Sequence, residues 1–341
     1  MAYKLSVLDQ SPVAEGELPS DALKQTVHFA KQAEEWGYYR FWVAEHHHHD
    51  QLAGSSPEVL AAYLLARTNR IKIGTGGVML QHYSPFKVAE NFHVLSSLEP
   101  GRVDLGIGKG PGGLPLAAKA LHYSEQPIEE RKGFEEKLRF LTELLENQVD
   151  AESAFHLLSA TPLPEQKPDR FLLGASMESA LFAAKYEWNF VFAAFLNPNE
   201  GLLQEAAHLY RSLYPKGRFL AAVTVIAAST EEQAKQLAGE QKIFKVHLDS
   251  GTTVTVGTRE QAEAYGKSAK EGYHVTEHKP EVICGTSEQV KAALDHLHER
   301  FGIDEFICHT PVRQAADRFL SFKLISPEYH ASEKEGEEHA I

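Results

Sequence analysis

Four short clusters in this 341-residue chain have the residue types and spacing to do chemistry. The first is Glu45-His46-His47-His48-His49-Asp50. Imidazole gives and takes protons near neutrality, and four in a row would also suit a metal. On extended chain, however, successive side chains face opposite ways, and no His-Glu-x-x-His or cysteine cluster accompanies them. We therefore expect no metal. One imidazole working as an acid, base or hydrogen-bond donor is the sharper reading, and solvated loop histidines are the plainer one. The second cluster is Gly74-Thr75-Gly76-Gly77. Bare backbone there would let a flat ring rest on a strand, or would mark a bulge. The third, Gly106-Ile107-Gly108-Lys109-Gly110-Pro111-Gly112-Gly113, contains Gly108-x-Gly110-x-x-Gly113. A dinucleotide fingerprint opens the first βα turn of its unit and runs straight into a helix. Pro111 breaks that pattern, so we read a glycine-rich loop in which Lys109 offers charge to an anion. The fourth is Gly174-Ala175-Ser176-Met177-Glu178-Ser179. Two hydroxyls one turn apart at a helix start make a phosphate site or a plain N-cap, and a neighbouring Lys109 favours phosphate.

These clusters need elements to position them, and each follows a short apolar run. Eight such runs are present: Leu5 to Leu8, Tyr39 to Ala44, Ile71 to Leu80, Arg102 to Ile107, Phe171 to Leu173, Phe190 to Ala194, Phe219 to Ala228 and Glu305 to His309. Each precedes a segment with helical spacing. Ser20 is read as the cap of the first helix, with Leu23, Val27, Ala30 and Ala33 on one face and Gly37 as its end. Ser56-Pro57 and Ser84-Pro85 open the next helices, and a later one starts near Pro198. Strands alternating with helices pair in parallel, and eight units predict a closed (β/α)8 TIM barrel. An open doubly wound sheet is the competing topology. Gly108 to Pro127, after strand four, and Ser250 to Pro280, between strands seven and eight, break the rhythm. Long loops of this kind are lids, binding loops or surface insertions. The reading is one domain over 1–327, with an acidic, disordered tail over 328–341.

Composition narrows the function. With 34 Lys plus Arg against 47 Asp plus Glu, the net charge is −13. Such a chain repels phosphate backbones and anionic lipid, so neither nucleic acid nor membrane is expected as a partner. Cys284 and Cys308, far apart, read as reduced, buried thiols of a cytoplasmic protein. Met1 to Gln10 lacks the apolar stretch of a signal peptide.

Taken together in order and spacing, these motifs resemble the bacterial luciferase-like flavin monooxygenases over nearly the full length. The resemblance rests on Leu8-Asp9-Gln10-Ser11-Pro12, Ala44-Glu45-His46-His47, Ile73-Gly74-Thr75-Gly76-Gly77-Val78-Met79-Leu80 and Ser84-Pro85-Phe86-Lys87-Val88-Ala89-Glu90. It continues through Gly101-Arg102-Val103-Asp104-Leu105-Gly106-Ile107-Gly108, Gly174-Ala175-Ser176-x-x-Ser179-Ala180 and Gly285-Thr286-Ser287-Glu288-Gln289-Val290. It implies a (β/α)8 barrel, usually a homodimer, that takes reduced FMN from a separate NAD(P)H:flavin reductase. O2 then forms a flavin hydroperoxide that oxygenates a small organic substrate. On that resemblance His46 is the active-site histidine, Glu45 lies beside the flavin, and Gly76-Gly77 is a dipeptide under the ring, often cis-linked. Lys109 replaces the usual Arg at the phosphate and lacks its two-pronged grip. Ala175, Ser176, Met177 and Ser179 form the phosphate end. Ala175 stands where luciferases carry Glu, and Gly108 where they carry a reactive Cys, so light emission is not expected. Ser250 to Pro280 falls in the region of the family's mobile active-site loop. A flavin-binding protein without turnover, or an F420-dependent hydride-transfer enzyme on the same barrel, are the alternative functions.

Overall fold

The β-branched and aromatic runs become strands, and the segments between them become helices. In the computed structural model, residues 2–110, 115–123, 132–239, 242–251, 253–256, 258–269, 271–279 and 281–331 are described. In chain order the elements are β1 (Lys4–Asp9), α1 (Pro19–Glu35), β2 (Arg40–Val43), α2 (Pro57–Leu65), β3 (Lys72–Thr75), β4 (Val78–Met79), α3 (Pro85–Leu98), β5 (Val103–Gly108), α4 (Pro115–Leu121) and α5 (Phe134–Glu146). They continue as β6 (Asp169–Gly174), α6 (Met177–Lys185), β7 (Asn189–Ala193), α7 (Glu200–Leu213), β8 (Phe219–Ala227), α8 (Glu231–Ala238), β9 (Ile243–Leu248), β10 (Thr253–Val256), α9 (Arg259–Ser268), β11 (Tyr273–His278), β12 (Ile283–Gly285), α10 (Ser287–Phe301), β13 (Glu305–His309) and α11 (Ala315–Ile325).

Eight parallel strands close in the order β8-β13-β1-β2-β3-β5-β6-β7, with β7 pairing back to β8. This is the expected TIM barrel. Alternation along each strand sorts side chains into an outer core beneath the helices and an inner one filling the barrel. The inner cluster is Leu8, Trp42, Ala44, Phe171, Leu173, Val191, Leu220, Ala222 and Ile307, with Phe195 packed against it. Registers such as Leu173↔Val191, Val191↔Leu220 and Ile307↔Ala222 place these residues in common layers.

Below the apolar layers, at the strand starts, lies a charged floor. Arg40 Nε and Nη2 donate to the two Glu305 oxygens at 2.6 and 3.2 Å, and Nη1 donates to Asp104 Oδ2 at 2.7 Å. Ser6 and the Trp42 indole N–H add donors to Glu305 and Asp104. All three charged residues are buried. Burial pushes the Asp104 carboxyl up, against the pull of Arg40.

Several expectations are corrected. Ser20 is not the first helix's cap: Pro19 is already its first residue, and Leu18 in the cap position makes no side-chain bond. Gly37 does end it, at φ +80°, where a Cβ would be strained. The third run is two strands, β3 and β4, split at Gly76-Gly77. The later helix starts at Glu200, because Asn199 caps it by accepting from Leu202 N–H. Ser250 to Pro280 is not a loop. Residues on either side of Asp249 form an antiparallel sheet, β10-β9-β11, covered by α9. Its own small core is Phe244, Val246 and Ala262, and the period-2 spacing of Phe244, Val246 and Leu248 in β9 is the signal that marks it. Cys284 is only half-buried, whereas Cys308 is fully buried with its thiol pushed up to about 12; both are free. Residues 328–331 continue a helical turn, with Glu328 N–H donating to Trp36 O. The remainder of the acidic tail, like Gly113 and Pro127, lies outside the described residues. Among the described residues no helix is long and apolar enough to cross a membrane.

Candidate active site

In a (β/α)8 barrel the strand C-termini carry function. The four sequence clusters leave the C-terminal ends of β2, β3, β5 and β6, which are consecutive in the sheet. Register sets them side by side: Val43↔Thr75, Val78↔Ile107 and Gly108↔Leu173. The structure thus brings together Glu45, His46, Gly76, Gly77, Lys109, Ala175, Ser176, Met177 and Ser179 on one arc of the barrel mouth.

Glu45 is buried just past β2 and works as a clasp. Its Oε1 accepts from Tyr83 Oη–H at 2.6 Å and lies 2.7 Å from His47 Nε2, while Oε2 accepts from Met79 N–H at 2.9 Å. Burial, then the bond to Glu45, keep the Tyr83 phenol protonated far above its ordinary range. The clasp joins the β2 end to β4 and so holds the Gly76-Gly77 segment. That peptide is cis. A Cβ on Gly77 would stand 2.7 Å from Gly106 backbone atoms, which cannot yield, so strand packing alone demands glycine there. A Cβ on Gly76 would meet Leu8 Cδ1 at 2.7 Å and Trp42 at 3.2 Å. Gly108 faces open space, its nearest neighbour being Gly110 N at 4.0 Å.

His46 donates its backbone N–H to Gly54 O at 2.8 Å. Its ring is half-buried, and Nδ1 is buried with no hydrogen-bond partner. Burial, then His49 and His47, push its pKa down to about 4. The other histidines of the run go elsewhere: His47 to Glu45, and His48 into a positive-φ turn.

At the β6 end, Ser176 is extended and its Oγ accepts from Ser179 N–H at 3.2 Å, which is the N-cap reading. The two hydroxyls sit 3.0 Å apart. N–H groups in a helix's first turn lack intrahelical acceptors, so this tip offers donors to an anion. Lys109 Nζ lies 2.8 Å from Glu178 Oε2, both half exposed. The lysine therefore hangs over the helix start, held by a screened pair that an incoming anion would compete for.

Sequence reading missed Gln10, Tyr83, Phe195 and His309. Gln10 and His309 stand two places beyond the inward-facing Leu8 and Ile307, so the alternation that fills the barrel could have found them. His309 is 9% exposed; its Nε2 lies 3.0 Å from Gln10 Oε1, and its Nδ1 is buried without a partner. Burial, then His46 and Arg318, push its pKa down to about 4. Tyr83 gave no signal, because its partner Glu45 is remote in sequence.

These depressed values set a pH dependence. The unfolded chain protonates each imidazole near 6.5, whereas the native one resists until about 4. Stability is therefore lost as pH falls from 6.5 to 4, by on the order of 3 kcal/mol for His309 and less for the partly exposed His46. Urea midpoints measured across that window should fall, and fall less in His309→Gln. An equal fall in both proteins would remove His309 from the cause.

A larger cavity, about 770 Å³, opens at the opposite face among Tyr3, Lys4, Tyr39, Arg70, Lys72 and Pro327. None of the four clusters reaches it.

Comparison with known proteins shows the family and the fold. The family model described as luciferase-like monooxygenase matches residues 3–305. The N-acetyl-S-alkylcysteine monooxygenase of Bacillus subtilis (strain 168) is 45% identical over 327 residues, covering 95% of this chain and 97% of that protein. The crystal structure of apo-MsnO8 superposes with a TM-score of 0.75 at 30% identity, covering 96% and 98% of the two chains. Two neighbours below 20% identity share the fold. One is the FMN-bound oxygenating constituent of 3,6-diketocamphane monooxygenase from Pseudomonas putida, with a TM-score of 0.69, 19% identity and 96% and 98% of the chains covered. The other is an F420-dependent secondary alcohol dehydrogenase, with a TM-score of 0.64, 18% identity and 96% and 99% covered.

Proposed function

The chain belongs to the luciferase-like monooxygenases, and from that premise we propose that it is a two-component monooxygenase using reduced FMN and O2 on a small thioether-like substrate. The observation that carries this reading is the contiguity of the four clusters on β2, β3, β5 and β6. The residues fit the cofactor through a hydroxyl-bearing helix tip for a phosphate and a buried imidazole nitrogen lacking a partner; Gly76-Gly77, fixed by strand packing, is assigned to the ring by the family resemblance. When bound, reduced FMN supplies the electrons that activate O2, one atom of which goes to substrate and the other to water.

In this reading the chain's own residues bind, orient and move a proton. Ser176, Ser179 and the N–H of Met177 would hold the phosphate beside Ala175, with Lys109 leaving Glu178 to face it. Gly76-Gly77 would support the ring, with Glu45 fixing that segment through Met79. His46, its pKa pushed down to about 4 by burial, is neutral at pH 7 and would accept a proton or hydrogen bond and pass it on. An anion seated beside it raises its pKa from about 4 toward neutrality. Replacing both Ser176 and Ser179 by Ala should weaken reduced-FMN binding by at least about tenfold, since bonds to a charged group are lost. An anaerobic fluorescence titration checks this, and an unchanged affinity moves the phosphate elsewhere.

The substrate class follows the named activity of the 45% identical relative. A separate NAD(P)H:flavin reductase supplies the cofactor, as the family resemblance implies. The oligomer is a homodimer built on α2 and α3, whose exposed faces carry Val59 (70%), Tyr63, Val94 and Leu98 (71%). In Leu98→Glu the sedimentation mass should fall to one chain; a wild-type monomer, or an unaffected dimer, contradicts this.

The direct test supplies photoreduced FMN, 18O2 and N-acetyl-S-methylcysteine. One labelled oxygen per product is expected. Reoxidation as fast as for free flavin with no label in product refutes the reading. Binding of reduced F420 in preference to FMN assigns the barrel to hydride transfer instead.

A further inference from the structure

We propose that a cavity of about 250 Å³ behind Phe195 is the subsite for the apolar part of the substrate, with His309 reading its polar head. This deepens the monooxygenase reading and rests on it for the word substrate. The cavity lies between the outer face of β7–β8 and helices α7 and α10, with Ala221, Ala293 and Leu297 among its mainly apolar walls.

Three contacts tie it to the barrel mouth. Phe195 lines the cavity and also packs on the inner cluster, and its ring lies 5.9 Å from that of His309. Thr224 lines it too, and pairs in register with His309. Asn197, a third lining residue, donates from Nδ2 to the Ala175 carbonyl at 3.5 Å. Phe195 is thus the partition between this mainly apolar space, which opens to solvent past Asn199, Glu281 and His296, and the site.

The cavity's volume and mainly apolar walls suit a short alkyl chain or a ring. The head is set by tautomer. With Gln10 Oε1 accepting from His309 Nε2–H, the His309 Nδ1 carries a lone pair, and that atom is buried without a partner. A ligand N–H or O–H would satisfy it while the tail passes Phe195. The ligand class is therefore a small molecule with one hydrogen-bond donor a few bonds from an alkyl or aryl group.

The test uses 1-alkanols from ethanol to octanol, titrated into the full-length, flavin-free protein by ligand-observed NMR. Affinity should rise about fourfold per methylene until the cavity is full. Ala293→Phe fills the space from the helix side and should abolish the rise. Leu297→Ala enlarges it and should move the plateau to longer chains, which keeps the test open if the Phe variant does not fold. His309→Gln should weaken every alkanol by a similar factor. A chain-length slope unchanged in both Ala293→Phe and Leu297→Ala overturns the proposal, as does a flat series in the wild type. No flavin is involved, so failure here is distinct from failure of the oxygen-labelling test.

Discussion

A His46→Ala variant given photoreduced FMN, O2 and N-acetyl-S-methylcysteine should incorporate labelled oxygen at least about 100-fold more slowly than wild type. Its reduced-FMN affinity should change little, because the phosphate tip and the Gly76-Gly77 support are untouched. The split arises from position. His46 leaves the end of β2 with one ring nitrogen buried and partnerless and the rest of the ring half-buried at the mouth. Removing it takes away the ring nitrogen of the proposed proton relay while leaving the hydrogen bond of its backbone N–H to Gly54. A labelled-product rate within threefold of wild type would remove His46 from the mechanism, and an equal loss of flavin affinity would recast it as a binding residue.

The largest effect on stability is expected at the other end of the barrel. Arg40→Met should destabilise the protein by about 3–5 kcal/mol in urea unfolding, since it leaves the Asp104 and Glu305 carboxylates buried together with no cation between them. Replacing Arg40, Asp104 and Glu305 together by apolar residues should recover much of that loss, because the cost lies in the stranded charges rather than in a missing bond. A loss under about 1 kcal/mol for Arg40→Met would show that water reaches the floor.

The two ends differ in how far the sequence disclosed them. The barrel was legible because eight apolar runs each precede a helical stripe, and parallel strands require such crossovers. The arc from His46 to Ser176 was legible because each cluster directly follows a strand. The charged floor was not singled out, because Arg40, Asp104 and Glu305 lie at strand starts and look like ordinary surface charges until closure turns them inward. His309 and Gln10 do not stand out in the sequence for a related reason: their meaning comes from standing at the ends of β13 and β1, which lead in sheet order to β2, the strand before His46, a relation set by the ring of strands. The sheet of β9, β10 and β11 reads as a loop in the sequence because its short, polar strands bury only one small face.

In the proposed reading the β2–β6 mouth would grip a phosphate at Ser176 and Ser179 and seat a ring on Gly76-Gly77 beside His46. A crystal structure of the protein soaked with FMN tests this most directly. The phosphate should lie within hydrogen-bond reach of both serine hydroxyls with Lys109 turned toward it, and the ring should lie against Gly76-Gly77 with an edge at His46. Density for the phosphate among Lys4, Arg70 and Lys72 at the opposite face, with the β2–β6 mouth empty, would contradict the account.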